Sequence, residues 1–187
     1  MQISDFILKK NFIPKETCKE IIKNLDNNKW EEHLWFDPKS KKLIQENKKE
    51  LLVQHTTDEF DKIIFENLLN AIKLYNQTYA SKDNYKCSQL FTSVSKIRWN
   101  KYLTGACIDE HYDHIHSIFD GTRRGIPVVS IVGLLNDDFK GGHFIISKKK
   151  IKLKAGDIIM FPSCFIYPHE VTEVTSGNRY SFVSWAF

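Results

Sequence analysis

The chain is short of cysteine, of long apolar runs and of charge imbalance, and each shortage closes off a class of protein. Its four cysteines (Cys18, Cys87, Cys107 and Cys164) form no Cys-x-x-Cys pair and no dense framework. That argues against a zinc knuckle or a disulfide scaffold and fits reduced thiols in a cytoplasm. No stretch approaches the ~18 consecutive apolar residues of a membrane helix. Met1-Gln2-Ile3-Ser4-Asp5 has no basic region leading into an apolar one, so a soluble cytoplasmic protein with neither leader nor membrane contact is expected. The net charge of +4 is mild. The Lys148-Lys149-Lys150 run reads as a solvated hairpin rather than a nucleic-acid stripe, so a nucleic-acid partner is not expected. Internal repeats, low-complexity tracts and linkers are also missing. What is there, 42% hydrophobic and 13% aromatic residues in a chain of 187, suffices for one domain with a real core and is marginal for two. The simplest partition is a single domain over 1–187, with helical support to about residue 80 and a β-rich core from about residue 89. Nothing in the sequence bears on oligomeric state.

The first half reads helical. Pro14 fits a first helical position, and Cys18, Ile21, Ile22 and Leu25 follow at helix spacing before Asp26-Asn27-Asn28. Thr56-Thr57-Asp58-Glu59 has the form of a capping box. Behind it, Phe60, Ile63, Ile64, Leu68, Ile72 and Tyr75 mark the buried side of a helix running to about Tyr79. Between the two lies Trp30 to Gln54, charged and aromatic but weakly periodic. It reads either as a flap or as a short strand with a long connection.

From about Gln89 the texture changes to short strand-like runs: Leu90–Tyr102, Ile108–Asp113, Val128–Leu135, His143–Ser147, Ile151–Lys154, Asp157–Phe161, Glu170–Val174 and Tyr180–Phe187. Gly141-Gly142, Ala155-Gly156-Asp157 and Ser176-Gly177-Asn178 punctuate them as turns. Strands at this spacing predict a mainly β, α+β fold, a β-sandwich or jelly roll with the helices packed outside. The apolar stretches Ile131–Leu135 and Ile158–Phe161 are expected to line its interior.

His111-Tyr112-Asp113 places a histidine and a carboxylate two residues apart, on one face of a strand. A His-x-Asp pair with one remote histidine supplies three ligands to one side of a non-haem iron and leaves positions open for a co-substrate and oxygen. Histidines 33, 55, 114, 116, 143 and 169 are available as the third ligand. His169 stands out because Pro168 precedes it and a strand-like run follows. Ten residues further on, Arg179 offers a planar fork suited to a carboxylate. The set points to an oxygenase.

The order of these residues resembles the iron and 2-oxoglutarate-dependent dioxygenase superfamily, particularly its prolyl 4-hydroxylase-like branch. Tyr102-Leu103-Thr104-Gly105 before His111-Tyr112-Asp113 is similar to the family's Tyr-x-x-Gly leading into its His-x-Asp strand. Leu134-Leu135-Asn136 ending in Gly141-Gly142, and the Ala155-Gly156-Asp157 turn, also match. So do Pro168-His169-Glu170-Val171, Arg179 and the terminal-strand Trp185. The likeness covers about Ile97 to Phe187 and is only architectural before that.

That resemblance implies a double-stranded β-helix in which His111, Asp113 and His169 ligate Fe(II) and Arg179 pairs with the distal carboxylate of 2-oxoglutarate. Ser130 falls where many relatives have a threonine that hydrogen-bonds this carboxylate, and Tyr102 where a tyrosine often reaches the co-substrate. Each also reads as an ordinary strand or core residue, and Trp185 as a wall of the pocket. Two departures stand out: Leu134 replaces the tyrosine of oxygen-sensing relatives, and Arg179 the lysine of collagen-type enzymes. The implied reaction consumes O2 and 2-oxoglutarate, with ascorbate as a reductant, and hydroxylates a C–H bond while releasing succinate. A prolyl residue in a peptide or protein is the first candidate substrate. A free amino acid, another small molecule or a nucleic-acid base is the second, and a non-catalytic jelly-roll binding module the third reading. Trp30–Gln54 and His114–Gly125 are the expected substrate-closing elements.

Overall fold

Helical periodicity and strand alternation divide this chain where the sequence changes texture. The computed structural model describes residues 3–37, 39–45, 49–55, 59–80, 90, 93–113 and 127–187. The proposed capping box and the His114–Gly125 loop fall outside the described residues, apart from the backbone of Glu59. After a 3-10 turn at Ile3–Phe6, helix α1 (Lys15–Asp26) buries Cys18, Ile21 and Leu25, a spacing of three and four that puts them on one side. Pro14 is its N-cap rather than its first helical residue, a difference of one position. Helix α2 (Glu59–Tyr79) buries Ile64, Leu68, Ala71, Ile72 and Tyr75. Ile63, expected in the stripe, is 36% exposed, because it precedes Ile64 by one step of helical rotation and points off the buried side.

The strands follow in chain order: β1 (Leu8–Asn11), β2 (Glu31–Glu32), β3 (Trp35–Asp37), β4 (Lys42–Ile44), β5 (Leu52–Gln54), β6 (Arg98–Tyr102), β7 (Ile108–His111) and β8 (Val129–Leu134). The remainder are β9 (Lys140–Gly141), β10 (Phe144–Ile146), β11 (Lys149–Ile151), β12 (Asp157–Pro162), β13 (His169–Val171), β14 (Val174–Ser176) and β15 (Arg179–Ala186). They assemble into a seven-stranded sheet of order β1-β12-β8-β15-β6-β5-β2 and a four-stranded sheet of order β11-β10-β13-β7. Two short two-stranded pairs, the long-range β9 with β14 and the β3–β4 hairpin, complete the set. The named strands pair antiparallel throughout. Two facing antiparallel sheets with both helices on one outer side are the jelly-roll arrangement the strand pattern predicts.

The large sheet is apolar on both faces, and alternation sorts its residues between two cores. Ile131, Ile158, Met160 and Phe182 pack with α1 and α2. Val132, Ile159, Phe161 and Val183 face the small sheet, with Phe144, Ile146 and Val171. The apolar runs in β8 and β12 therefore do not line the interior as a whole; every second residue supports the helices instead. Gly133 is fixed by this packing. A Cβ there would lie 2.0 Å from the ring of Phe182, its partner in the register, so only glycine admits that ring.

The described residues of Trp30–Gln54 form sheet edge and hairpin. β5 pairs with β6 and β2 with β5, extending the large sheet by two strands. Gln54 donates to the carbonyl of Leu25 at the end of α1 (2.9 Å), which ties this edge to the helical layer. The β3–β4 hairpin turns through Asp37, whose carboxylate accepts the amides of Lys39 and Ser40, both at 3.0 Å. Among the described residues, no helix is long and apolar enough to cross a membrane.

Candidate metal and co-substrate site

Between the two sheets lies a cavity lined by His111, Asp113 and His169 at one end and by Arg179 and Tyr102 at the other. β13 sets His169 directly opposite His111 of β7. Two steps further along β13, Val171 pairs with Ile108 rather than with residue 109, so β7 carries one extra residue there. Such a bulge re-aims the side chains beside it. β7 ends at His111, and Asp113 follows two residues later, beyond the strand predicted to contain it.

The three ligand atoms all lie within 4.8 Å of one another. His111 Nε2 is 3.8 Å from Asp113 Oδ1 and His169 Nε2 is 3.8 Å from Asp113 Oδ2. Each imidazole is oriented by the carbonyl two residues before it. His111 Nδ1 donates to Asp109 O (2.7 Å) and His169 Nδ1 to Tyr167 O (3.2 Å). With the proton on Nδ1, the Nε2 lone pair of each ring faces the carboxylate, which is the form that binds a metal. Burial, and next the neighbouring His169, push the His111 pKa down to about 4, so the ring is neutral at physiological pH. Burial alone would raise the Asp113 carboxyl. His169 and His111, with hydrogen bonds from Ser130 and Trp185, outweigh it and hold the group below the ordinary carboxylate range. Two imidazoles and one carboxylate on one side of a cavity are a donor set that fits Fe(II) with positions left open.

At the other end Arg179 is 1% exposed. Nη1 donates to Ser181 Oγ (2.8 Å), and Nε, fully buried, has no partner. A buried guanidinium with an orphaned N–H is costly alone and fits an anionic ligand. Its plane stacks on Tyr102, with Cζ 5.0 Å from the ring centre, and borders Phe139 at 6.0 Å. Gly142 makes room for the arginine stem: it has φ of +55°, and a Cβ there would stand 3.1 Å from Arg179 Cδ. Asn136 fixes the turn feeding this arginine, accepting the amide of Tyr180 (2.7 Å) and donating to Asn178 O (2.8 Å).

The structure brings His111, Asp113, His169, Arg179 and Tyr102 to one cavity, as the sequence order suggested. It places Ser130 at the metal end rather than beside Arg179. The Ser130 hydroxyl donates to Asp113 Oδ2 and accepts from Ser163 Oγ (2.9 Å). The hydroxyl against Arg179 belongs to Ser181, because pairing of β8 with β15 sets Ser130 across from Trp185 and Leu134 across from Ser181. Tyr102 contributes its ring face to the arginine. Of the other histidines considered as ligands, His33 is buried against Glu50, His143 borders a separate cleft, and His55 is exposed. His114 and His116 lie outside the described residues.

Sequence reasoning missed a half-buried charged group beside the metal end. Arg98 lines the cavity, donates from Nη1 to His33 Nε2 (3.2 Å) and from Nε to Asn100 Oδ1 (3.2 Å), and stacks on Trp185 with Cζ 5.3 Å from the ring centre. Glu50 accepts from His33 Nδ1 (3.1 Å) and from Trp35 Nε1 (2.8 Å), and the Trp35 ring meets His111 edge-on at 5.4 Å. The signal available was alternation, since Arg98, Asn100 and Tyr102 share one face of β6.

Residues 97–187 match the model of the 2OG-Fe(II) oxygenase superfamily. A PKHD-type hydroxylase of Shewanella sp. strain MR-7 is 33% identical over 92 residues, covering 46% of this chain and 40% of that relative. Another, of Prochlorococcus marinus strain MIT 9301, is 33% identical over 131 residues, covering 62% and 58%. The chain thus spans about half the length or less of these curated relatives. A prolyl hydroxylase of Trichoplax adhaerens, solved with a peptide fragment of the hypoxia inducible factor oxygen degradation domain, superposes with a TM-score of 0.70. Its sequence is 16% identical, with 98% of this chain and 84% of that one covered, which is a likeness of fold. The matched segment carries the whole donor set and Arg179, and there the chain is similar to the 2OG-Fe(II) oxygenase superfamily and to its prolyl hydroxylase-like members.

Proposed function

We propose that this protein is an Fe(II)- and 2-oxoglutarate-dependent dioxygenase that hydroxylates prolyl residues of a peptide or protein, releasing succinate and CO2. One observation carries the oxygenase reading: a His-Asp-His donor set and a buried arginine with an unpaired N–H line the same cavity. The prolyl preference is supported by the names of the similar proteins, PKHD-type hydroxylases and prolyl hydroxylases. A peptide substrate is supported by the neighbour that carries one.

His111, Asp113 and His169 hold the metal, and Arg179 holds the distal carboxylate of the co-substrate with Ser181 and Tyr102 fixing its plane. When bound, Fe(II) with 2-oxoglutarate and O2 supplies the oxidising power for C–H hydroxylation. The protein contributes orientation and dryness. The Nδ1–carbonyl bonds fix each imidazole, and the Ser163–Ser130–Asp113 chain fixes the carboxylate. Val132, Phe144 and Val171 wall the cavity against water. We read the chain as one domain over 1–187, since α1, α2 and the large sheet share a single core. A cytoplasmic location is supported by the free thiols of Cys18, Cys107 and Cys164.

The test is turnover of proline-containing peptides with Fe(II), ascorbate and 2-oxoglutarate, read by mass spectrometry. The expected result is one added oxygen on proline with equimolar succinate. Turnover of free amino acids or oligonucleotides alone would move the substrate elsewhere, and no consumption of 2-oxoglutarate with any of them would reject the oxygenase reading.

A further inference from the structure

β6 puts Tyr102 and Arg98 on one face. Tyr102 lies under Arg179, and Arg98 is four residues back, about 13 Å along the strand. A five-carbon dicarboxylate anchored at Arg179 covers roughly half that distance. Arg98 therefore leaves the sheet away from the anchored carboxylate, toward the metal end of the cavity. The guanidinium is close enough to Asp113 to feel its charge, and Trp185 packs beneath it while hydrogen-bonding the same carboxylate. Two guanidinium groups thus face the cavity, Arg179 at the co-substrate end and Arg98 at the metal end.

Arg98 is rigidly held but only partly used. Its Nη1–H can donate to His33 only if Nε2 of that ring carries the lone pair, so the His33 proton sits on Nδ1 and goes to Glu50. Burial, with the neighbouring Arg98 charge, pushes the His33 pKa down to about 3, in keeping with a neutral ring. The side chains of His33 and Glu50 are 6% and 4% exposed. Desolvating a carboxylate and a guanidinium with an imidazole between them is expensive for fold stability alone. A direct Arg–Glu pair would satisfy both charges better. Instead, the inner edge of Arg98 is fixed on His33 and Asn100, and its Nη2 has no partner among the described residues. The formal charges of a loaded site (metal, Asp113, co-substrate, Arg179, Arg98 and Glu50) already cancel. A neutral carbonyl suits the open Nη2 donors without adding a buried charge.

We propose that Arg98 is the substrate anchor, donating from its open edge to a carbonyl oxygen of the peptide beside the residue to be hydroxylated, with His33 and Glu50 as positioning residues. This assignment rests on the peptide-hydroxylating oxygenase reading above.

Calorimetry on the full chain loaded with Mn(II) under anaerobic conditions separates the two claims. Binding of 2-oxoglutarate tests the oxygenase reading. Binding of an acetylated and amidated proline-containing peptide to that complex, beside free L-proline, tests Arg98. Arg98→Gln should weaken the blocked peptide more than about tenfold while 2-oxoglutarate affinity stays within about twofold. Arg98→Lys, which keeps the charge and the buried stem, should recover part of the loss. His33→Gln, which retains an acceptor, should bind the peptide better than His33→Phe. The proposal is overturned if Arg98→Gln binds peptide like the wild type, or if its loss falls on 2-oxoglutarate instead. Failure of the wild-type complex to bind the blocked peptide overturns it too. A dependence on Arg98 confined to free L-proline would assign a carboxylate ligand and overturn the peptide-carbonyl assignment.

Discussion

His169 sits across the small sheet from His111 with the two ring centres 4.4 Å apart, and each ring is steered by the carbonyl two residues before it. One register and one local hydrogen bond, used twice, aim both Nε2 atoms at Asp113. The proposed metal site thus owes its geometry to one strand pairing and two local hydrogen bonds, so its affinity should respond to residues that touch no metal.

Ser130→Ala is the direct test. It removes the hydroxyl that donates to Asp113 Oδ2 and leaves Ser163 without its acceptor. Metal affinity, measured by competition with a chelator, should fall by about 10–100-fold, the usual cost of losing an outer-shell partner. Asp113→Ala should abolish stoichiometric binding. Unchanged affinity in Ser130→Ala would show that Asp113 needs no such support.

Arg179→Gln should weaken 2-oxoglutarate by more than about tenfold, the equivalent of ~1.5–3 kcal/mol for hydrogen bonds to a charged group. The substitution keeps a polar group beside Ser181 but loses the fork and the charge. Calorimetric titration of the metal-loaded variant gives the number, and an affinity equal to the wild type would remove Arg179 from its assigned place.

Most of the donor set was legible because it is local or ordered. His111 and Asp113 are two residues apart, and His169 and Arg179 follow in a sequence order that the jelly roll can bring together. Most of the eight strand-like runs were legible through alternation and glycine turns, although the run from Leu90 shortened to Arg98–Tyr102, the strand read over Ile151–Lys154 lies instead at Lys149–Ile151, and Glu170–Val174 split around Thr172. What was hidden depends on pairings between distant segments. Ser130 was placed by analogy at the carboxylate end, but the register that sets it opposite Trp185 is a tertiary fact. His33 and Glu50 come to Arg98 only because β2 and β5 add to the edge beside β6 and Glu50 bridges to Cys107. A weakly periodic stretch such as Trp30–Gln54 carries no signal of which edge it will join.

Gly133→Val should destabilise the fold without touching the metal site. The added side chain would collide with Phe182, whose ring occupies the space of the missing Cβ. Overpacking of this kind costs about 1–3 kcal/mol, readable as a lower urea midpoint. An unchanged midpoint would mean that Phe182 has another place to go.

The Asp26–Lys101–Tyr180 cluster should give stability a pH dependence. Lys101 Nζ lies 2.6 Å and Tyr180 Oη 2.7 Å from the Asp26 carboxylate, joining the end of α1 to β6 and β15. Burial raises the Asp26 pKa, but those hydrogen bonds outweigh it and the net shift is downward. Burial lowers the Lys101 pKa, and its bonds to Asp26 and Tyr180 reverse that into a net rise. The carboxylate contribution is thus present above its unfolded value of about 3.9 and lost as pH falls through the folded one. The lysine contribution is present below about 10.4 and lost as pH rises through its own. Asp26 is 39% exposed, so the effect is small and screened by salt. Asp26→Asn should lower the urea midpoint at neutral pH and flatten the acid limb, whereas an unaltered acid limb would place that dependence on other carboxylates.

If one cavity holds both the metal and the co-substrate, 2-oxoglutarate binding depends on the metal. Titrated anaerobically, the wild-type chain with Mn(II) should bind 2-oxoglutarate stoichiometrically. The metal-free chain and Asp113→Ala should bind it at least tenfold more weakly. Equal affinity with and without metal, or none in either case, would contradict the account.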